Sequence, residues 1–151
     1  MAQPSTATFD LQVRQFIYDH LLKASQTPTA AETAAALGSS TPAIKAAYQR
    51  LAEAHVVNLQ TGGEILMAHP FSAVPTAFQV EAGGRSWWGN CIWDALGILA
   101  LLKEDGQIRC SCGDCNESMI VTIKAGSLVE LEGLIHFAIP ARDWWRDVVY
   151  T

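Results

Sequence analysis

The sequence has no apolar run long enough to cross a membrane. Its longest, at 95–102, falls far short of the roughly 20 residues a spanning helix needs. The first eight residues lack the basic head and apolar stretch of a secretory leader, so a cytoplasmic location is expected. Charged residues make up 17% of the chain and leave it at a net −5. The basic footprint of a general nucleic-acid binder is therefore missing. The chain also lacks a glycine-rich phosphate loop, an H-E-x-x-H zinc motif, a readable Ser/His/Asp order, internal repeats and low-complexity tracts. No cysteine follows Cys115. The four cysteines present, in a chain expected inside the cell, read as reduced, metal-binding or catalytic rather than disulfide-bonded.

What is present is enough to fold. Half of the 151 residues are apolar and five are tryptophans, which allows one compact domain or two very small ones. Residues 9–23 carry Val13, Phe16, Ile17 and Leu21 at helical spacing. An Ala-rich helix follows over 29–37, with Thr29 as cap, Glu32 three residues on, and Gly38 at its end. Thr41 as N-cap and Pro42 at N1 start a third helix, running through Ile44, Tyr48 and Leu51 to about Ala54. Strands at 56–59 and 64–67 flank the turn Thr61-Gly62-Gly63. Three helices and a hairpin is the order of a winged helix, whose third helix would offer Lys45, Gln49 and Arg50. Two cations beside Glu53 make a poor phosphate grip, so DNA is not the expected partner.

Residues 69–75 read as a linker into a strand at 76–81, and Gly83-Gly84 breaks the chain. Asn90 is the expected N-cap of a helix carrying Cys91 in its first turn. Strands are expected at 108–112, 118–124 and 134–139, and Pro140 opens a short helix through Trp144-Trp145. The expected fold class is α+β. A winged-helix-like helical part (1–70) precedes a small mixed or antiparallel β-sheet domain with a Cys-bearing helix (71–151).

Cys91 and Asp94 stand three apart, which on a helix places them on one face, about 5–6 Å apart at Cβ. A helix N-terminus lowers a thiol pKa, whereas an ionised neighbouring carboxylate raises it. The two effects oppose each other, so a shared proton fits better than a free thiolate. The plainer alternative is a buried structural cysteine with Asp94 bonded to backbone. Cys110, Cys112 and Cys115, in C-x-C-x2-C around a glycine turn, could converge on a soft metal such as zinc or copper(I). A closed zinc site would need a fourth ligand, which His136 or Cys91 could supply only through the fold. Otherwise these are incidental thiols in a turn, and His136 is a hydrogen-bonded strand residue. The Trp87-Trp88 and Trp144-Trp145 pairs read as packing, and with Trp93 they could wall an apolar pocket over Cys91.

Together these residues resemble the alkylmercury (organomercurial) lyase family. The resemblance rests on Asn90-Cys91-Ile92-Trp93-Asp94-Ala95-Leu96, similar to the family's Cys-x-x-Asp element. The cysteine-bearing segment 109–115, Ile135-His136-Phe137 and Asp143-Trp144 then follow in order, over about 83–146. The winged-helix-like N-terminal part is also what the family shows. The resemblance implies cofactor-free protonolysis of carbon–mercury bonds, with an organometallic substrate and mercury(II) as the bound product. Cys91 would be the mercury-binding thiolate. Asp94 would take its proton and return it to the departing carbon. Cys112 lies where the family carries a mainly structural cysteine.

The family's second catalytic cysteine has no counterpart near Glu132 and Gly133, where it would be expected. Either Cys110, Cys112 or Cys115 folds over Cys91 as a substitute, or a thiol or selenol lies beyond Thr151. The competing expectations are a thiol-rich protein that binds mercury, copper or zinc through Cys91, Cys110, Cys112 and Cys115 without turnover, and a winged-helix metal-responsive regulator.

Overall fold

The computed structural model describes residues 5–129, 133–137 and 139–148. The chain divides into two compact units, Met1–Val74 and Pro75–Thr151.

The first unit opens with helices α1 (Thr6–Ala24), α2 (Ala30–Leu37) and α3 (Thr41–Glu53). Val13, Ile17 and Leu21 form the buried stripe of α1, and Ile44, Ala47, Tyr48 and Leu51 that of α3. Thr29 and Glu32 close a full capping box on α2, and Gly38 ends that helix in the left-handed conformation. The cap of α3 is Ser40 rather than Thr41: the Ser40 hydroxyl accepts the Ala43 amide, and Thr41 becomes the first helical residue. Inside the bundle the Tyr48 hydroxyl meets that of Thr33 at 2.7 Å, and burial pushes the phenol up to about 12.

Strands β1 (Val57–Leu59) and β2 (Ile65–Ala68) pair antiparallel around the glycine turn. The expected linker at 69–75 is not one throughout. Its Phe71 and Ser72 are buried and form β3 (Phe71–Ser72), antiparallel to β2. Two of the three residues proposed for a recognition surface are engaged within this unit. Arg50 grips Asp10 of α1 through two hydrogen bonds of 2.7 and 2.6 Å. Lys45 reaches the Gly62 carbonyl at 3.0 Å and Glu64 at 3.8 Å.

The second unit is an antiparallel sheet crossed by one helix. Its strands are β4 (Phe78–Ala82), β5 (Arg85–Gly89), β6 (Gly106–Ser111), β7 (Ser118–Lys124) and β8 (Ser127–Val129). Their order is β5-β4-β6-β7-β8. Gly83 and Gly84, at φ +55° and +74°, form the two-residue turn joining β4 to β5. Both central residues of such a turn sit at positive φ, where glycine is unstrained. Trp87 and Trp88 thus lie in a strand, with Trp87 buried in the core.

Helix α4 (Ile92–Leu102) connects β5 to β6 and buries Ala95, Ile98 and Leu99. A short 3-10 helix, Ala141–Arg146, follows Pro140. The strand expected at 134–139 is absent among the described residues: 133–137 are irregular, and Leu134 is 98% exposed. The strand beside β7 is β8 instead. No described helix is long and apolar enough to cross a membrane.

Candidate active site

The end of β5 delivers the chain directly into α4, and the candidate residues sit at that junction. Cys91, with φ −141° and ψ 180°, is itself the N-cap of α4, the place expected for Asn90. Asn90 is drawn elsewhere, its Nδ2 donating to the Val148 carbonyl at 3.1 Å. Asp94 consequently takes the N3 position, three residues past the cap.

Only the return half of a capping box is formed: the N3 carboxylate reaches back to the N-cap amide, while the Cys91 thiol makes no cap bond. The Asp94 carboxylate accepts from the Cys91 thiol and from the backbone amides of Asn90 and Cys91. The Cys91 sulfur faces the amides of Asp94 and Trp93, although it makes no cap bond of ordinary geometry. Burial dominates the electrostatics of both groups. It lifts the Asp94 carboxyl to about 6, against the opposing pull of the thiol and the two amides. It also raises the half-buried Cys91 thiol. The amides of Asp94 and Trp93 work against that rise, and the Asp94 charge adds to it. The pair is therefore a protonated thiol beside a carboxyl that titrates near neutrality, the condition for exchanging one proton.

Gly89 makes this junction possible. A Cβ there would fall 2.8 Å from the Ala95 nitrogen and 3.0 Å from its Cα, so only glycine lets the strand end press on the helix's first turn. The Thr76 hydroxyl holds the same point by donating to the Gly89 carbonyl. Beside the helix start, Trp93, Phe137 and Trp144 form a row of rings with centroid spacings of 6.4 and 5.2 Å. The Trp144 indole donates to the Ile139 carbonyl at 2.9 Å. Sequence reasoning named the tryptophans but missed the parts of Phe137, Gly89 and Asn90. A glycine squeezed between a strand and a cysteine-led helix was the available signal.

The remaining cysteines do not join this pair into a metal cluster. Among the described residues no three His, Cys, Asp or Glu side chains gather to hold an ion, so the convergence of Cys110, Cys112 and Cys115 is not observed. Cys110 lies in β6 opposite Met119, its thiol raised by burial. Cys112 and Cys115 meet in the β6–β7 turn. There the amides of Cys115 and Asp114, then the Cys115 thiol, lower the Cys112 pKa. His136 is exposed on the irregular segment. Glu132 lies outside the described residues.

Residues 71–151 match the family model described as MerB, alkylmercury lyase. That match takes in the whole junction and more than half of the chain, and the chain belongs to the alkylmercury lyase family. Among solved structures, one described as the mercury-bound form of MerB2 superposes with a TM-score of 0.65 at 22% sequence identity. It covers 80% of this chain, which in turn spans 58% of that one, and at this identity the likeness is one of fold. No curated protein sequence matches.

Proposed function

We propose that the protein protonolyses carbon–mercury bonds, with Cys91 as the mercury-binding thiolate and Asp94 as the proton carrier. The observation that carries this reading is the Asp94 carboxyl, hydrogen-bonded to the Cys91 thiol and lifted to about 6. Family membership supplies the substrate class. For a substrate R–Hg–X, the Cys91 S–H bond breaks, its proton passes to Asp94, and a sulfur–mercury bond forms. The carbon–mercury bond then breaks with its electron pair on carbon, which takes the proton from Asp94. The products are R–H and Cys91–S–Hg–X, and Asp94 ends as a carboxylate. Mercury is soft and prefers sulfur. The nascent carbanion needs a placed acid.

The test is incubation of the protein with an alkylmercury compound and excess small thiol. Release of several equivalents of hydrocarbon per chain is expected, and its loss in Cys91→Ser and in Asp94→Asn. The small thiol supplies X and removes the metal after each turnover.

A second reading, capture of a soft metal without turnover, draws on the four free cysteines Cys91, Cys110, Cys112 and Cys115. It requires stoichiometric binding with no hydrocarbon, unchanged in Asp94→Ala. For the N-terminal unit, the order of three helices and a hairpin supports a winged-helix-like reading. The engagement of Arg50 with Asp10 and of Lys45 with Glu64 supports a packing role over a DNA-reading one. A cytoplasmic location belongs with the same reading.

A further inference from the structure

The turn between β6 and β7 holds a second thiol constellation that carbon–mercury cleavage at Cys91 leaves unused. Strand pairing ends at Ser111 opposite Ser118, and the turn is then closed by its own backbone. The Cys112 amide donates to the Glu117 carbonyl at 2.8 Å, and the Asn116 amide donates to the Cys112 carbonyl at 2.9 Å. Asn116, at φ +57°, lies in the left-handed region and turns the chain back into β7. This closure folds Cys112 and Cys115 toward each other across the turn, where the amides of Cys115 and Asp114 and the Cys115 thiol favour negative charge on the Cys112 sulfur. Cys115 is exposed and Cys112 half-exposed, so the pair is open to solvent.

We propose that Cys112 and Cys115 form a chelating dithiol for a soft, two-coordinate cation of the mercury(II) or copper(I) class. Soft cations select thiolate, and an ion content with two ligands is satisfied by this pair alone. Zinc in a closed site takes four ligands, and no third metal-holding side chain joins the two among the described residues. The amides directed at Cys112 stabilise negative charge on sulfur, as backbone nests do for other anions. On binding, two S–H bonds break, two sulfur–metal bonds form and two protons leave to solvent, with no change of oxidation state. Cys110 takes no part.

The test uses the full, reduced chain carrying Cys91→Ser, so its outcome does not depend on carbon–mercury cleavage. The protein is titrated with mercuric chloride, and separately with copper(I), against a competing monothiol. Retained metal, free thiols and intact mass are then measured. One equivalent of metal with two thiols consumed is expected, with zinc failing to displace it. Adding Cys112→Ser or Cys115→Ser should weaken retention about a hundredfold, the usual scale of a lost chelate arm. Adding Cys110→Ser should change nothing. Circular dichroism of each variant reports whether the sheet is intact. No retained metal in an intact Cys91→Ser protein overturns the proposal, as does loss of binding through Cys110→Ser. A mass two hydrogens lighter, marking a disulfide formed in place of metal uptake, also overturns it.

Discussion

The Asp94 carboxylate folds back onto the amide of Cys91 while accepting from that residue's thiol, so one side chain both caps helix α4 and faces its leading cysteine. The two roles conflict in energy. Capping favours the ionised carboxylate, whereas the half-buried setting favours the neutral acid, and burial is the larger effect. A carboxyl left near 6 can accept a proton and release it again at neutral pH.

Hydrocarbon release should follow this titration. Below about pH 6 Asp94 is protonated and cannot take the Cys91 proton, so the rate falls as the pH drops. The ascending limb should have an apparent pKa near 6 belonging to the coupled pair. Asp94→Asn should abolish both the limb and the activity. A flat profile between pH 5 and 7.5, with other steps excluded by single-turnover measurement, would contradict this assignment.

The same shift predicts a stability gain from removing the carboxylate. The folded pKa of Asp94, about 6, lies above the ordinary aspartate value of 3.8. Its contribution to stability is therefore fully present below about pH 4 and is lost as pH rises through about 6. Asparagine escapes that loss. Asp94→Asn should melt like the parent near pH 4 and be more stable at pH 8. After discounting for residual solvent access, the gain should be on the order of 1–2 kcal/mol. Thermal melts across this range read the difference directly.

Local chemistry was legible where it closes within a few residues. The Thr29–Glu32 box and the Gly38 terminus are written in adjacent positions, and the Cys91–Asp94 spacing needs only one helical turn. Ser40 and Thr41 are both capping residues, and only the backbone decides between them. Non-local partners were invisible. Cys91 takes the cap position through its extended backbone, and the Asn90 side chain binds a carbonyl 58 residues away. Leu134, Ile135 and Phe137 look like a strand, yet it is β8 that pairs with β7. A two-residue strand such as Phe71–Ser72 carries too little periodicity to be read at all.

Arg50 tests the packing role of the helical unit. Its two hydrogen bonds to Asp10 tie α3 to α1, with the Asp10 side chain 17% exposed. Arg50→Ala should destabilise the fold by about 1 kcal/mol, the scale of a charge-assisted bond reduced by solvent. Hydrocarbon release per folded molecule should be unaffected. Denaturant unfolding paired with an activity assay separates the two, and a fall in specific activity with unchanged stability would contradict the packing role.

Gly89→Ala probes the junction without touching a reacting group. The added Cβ would stand 2.8 Å from the Ala95 nitrogen, and the obstacle is helix backbone rather than a side chain that could swing aside. The strand end and the first turn of α4 must then separate, at a cost of about 1–3 kcal/mol, typical of overpacking. That separation displaces the amides of Asn90 and Cys91 that hold the Asp94 carboxylate. The variant should therefore lose hydrocarbon release as well as stability, and it should lose activity even at temperatures where it remains folded. If Gly89→Ala folds at 20 °C by circular dichroism and still turns over at the parent rate, the tight strand-to-helix junction is not what positions the Cys91–Asp94 pair.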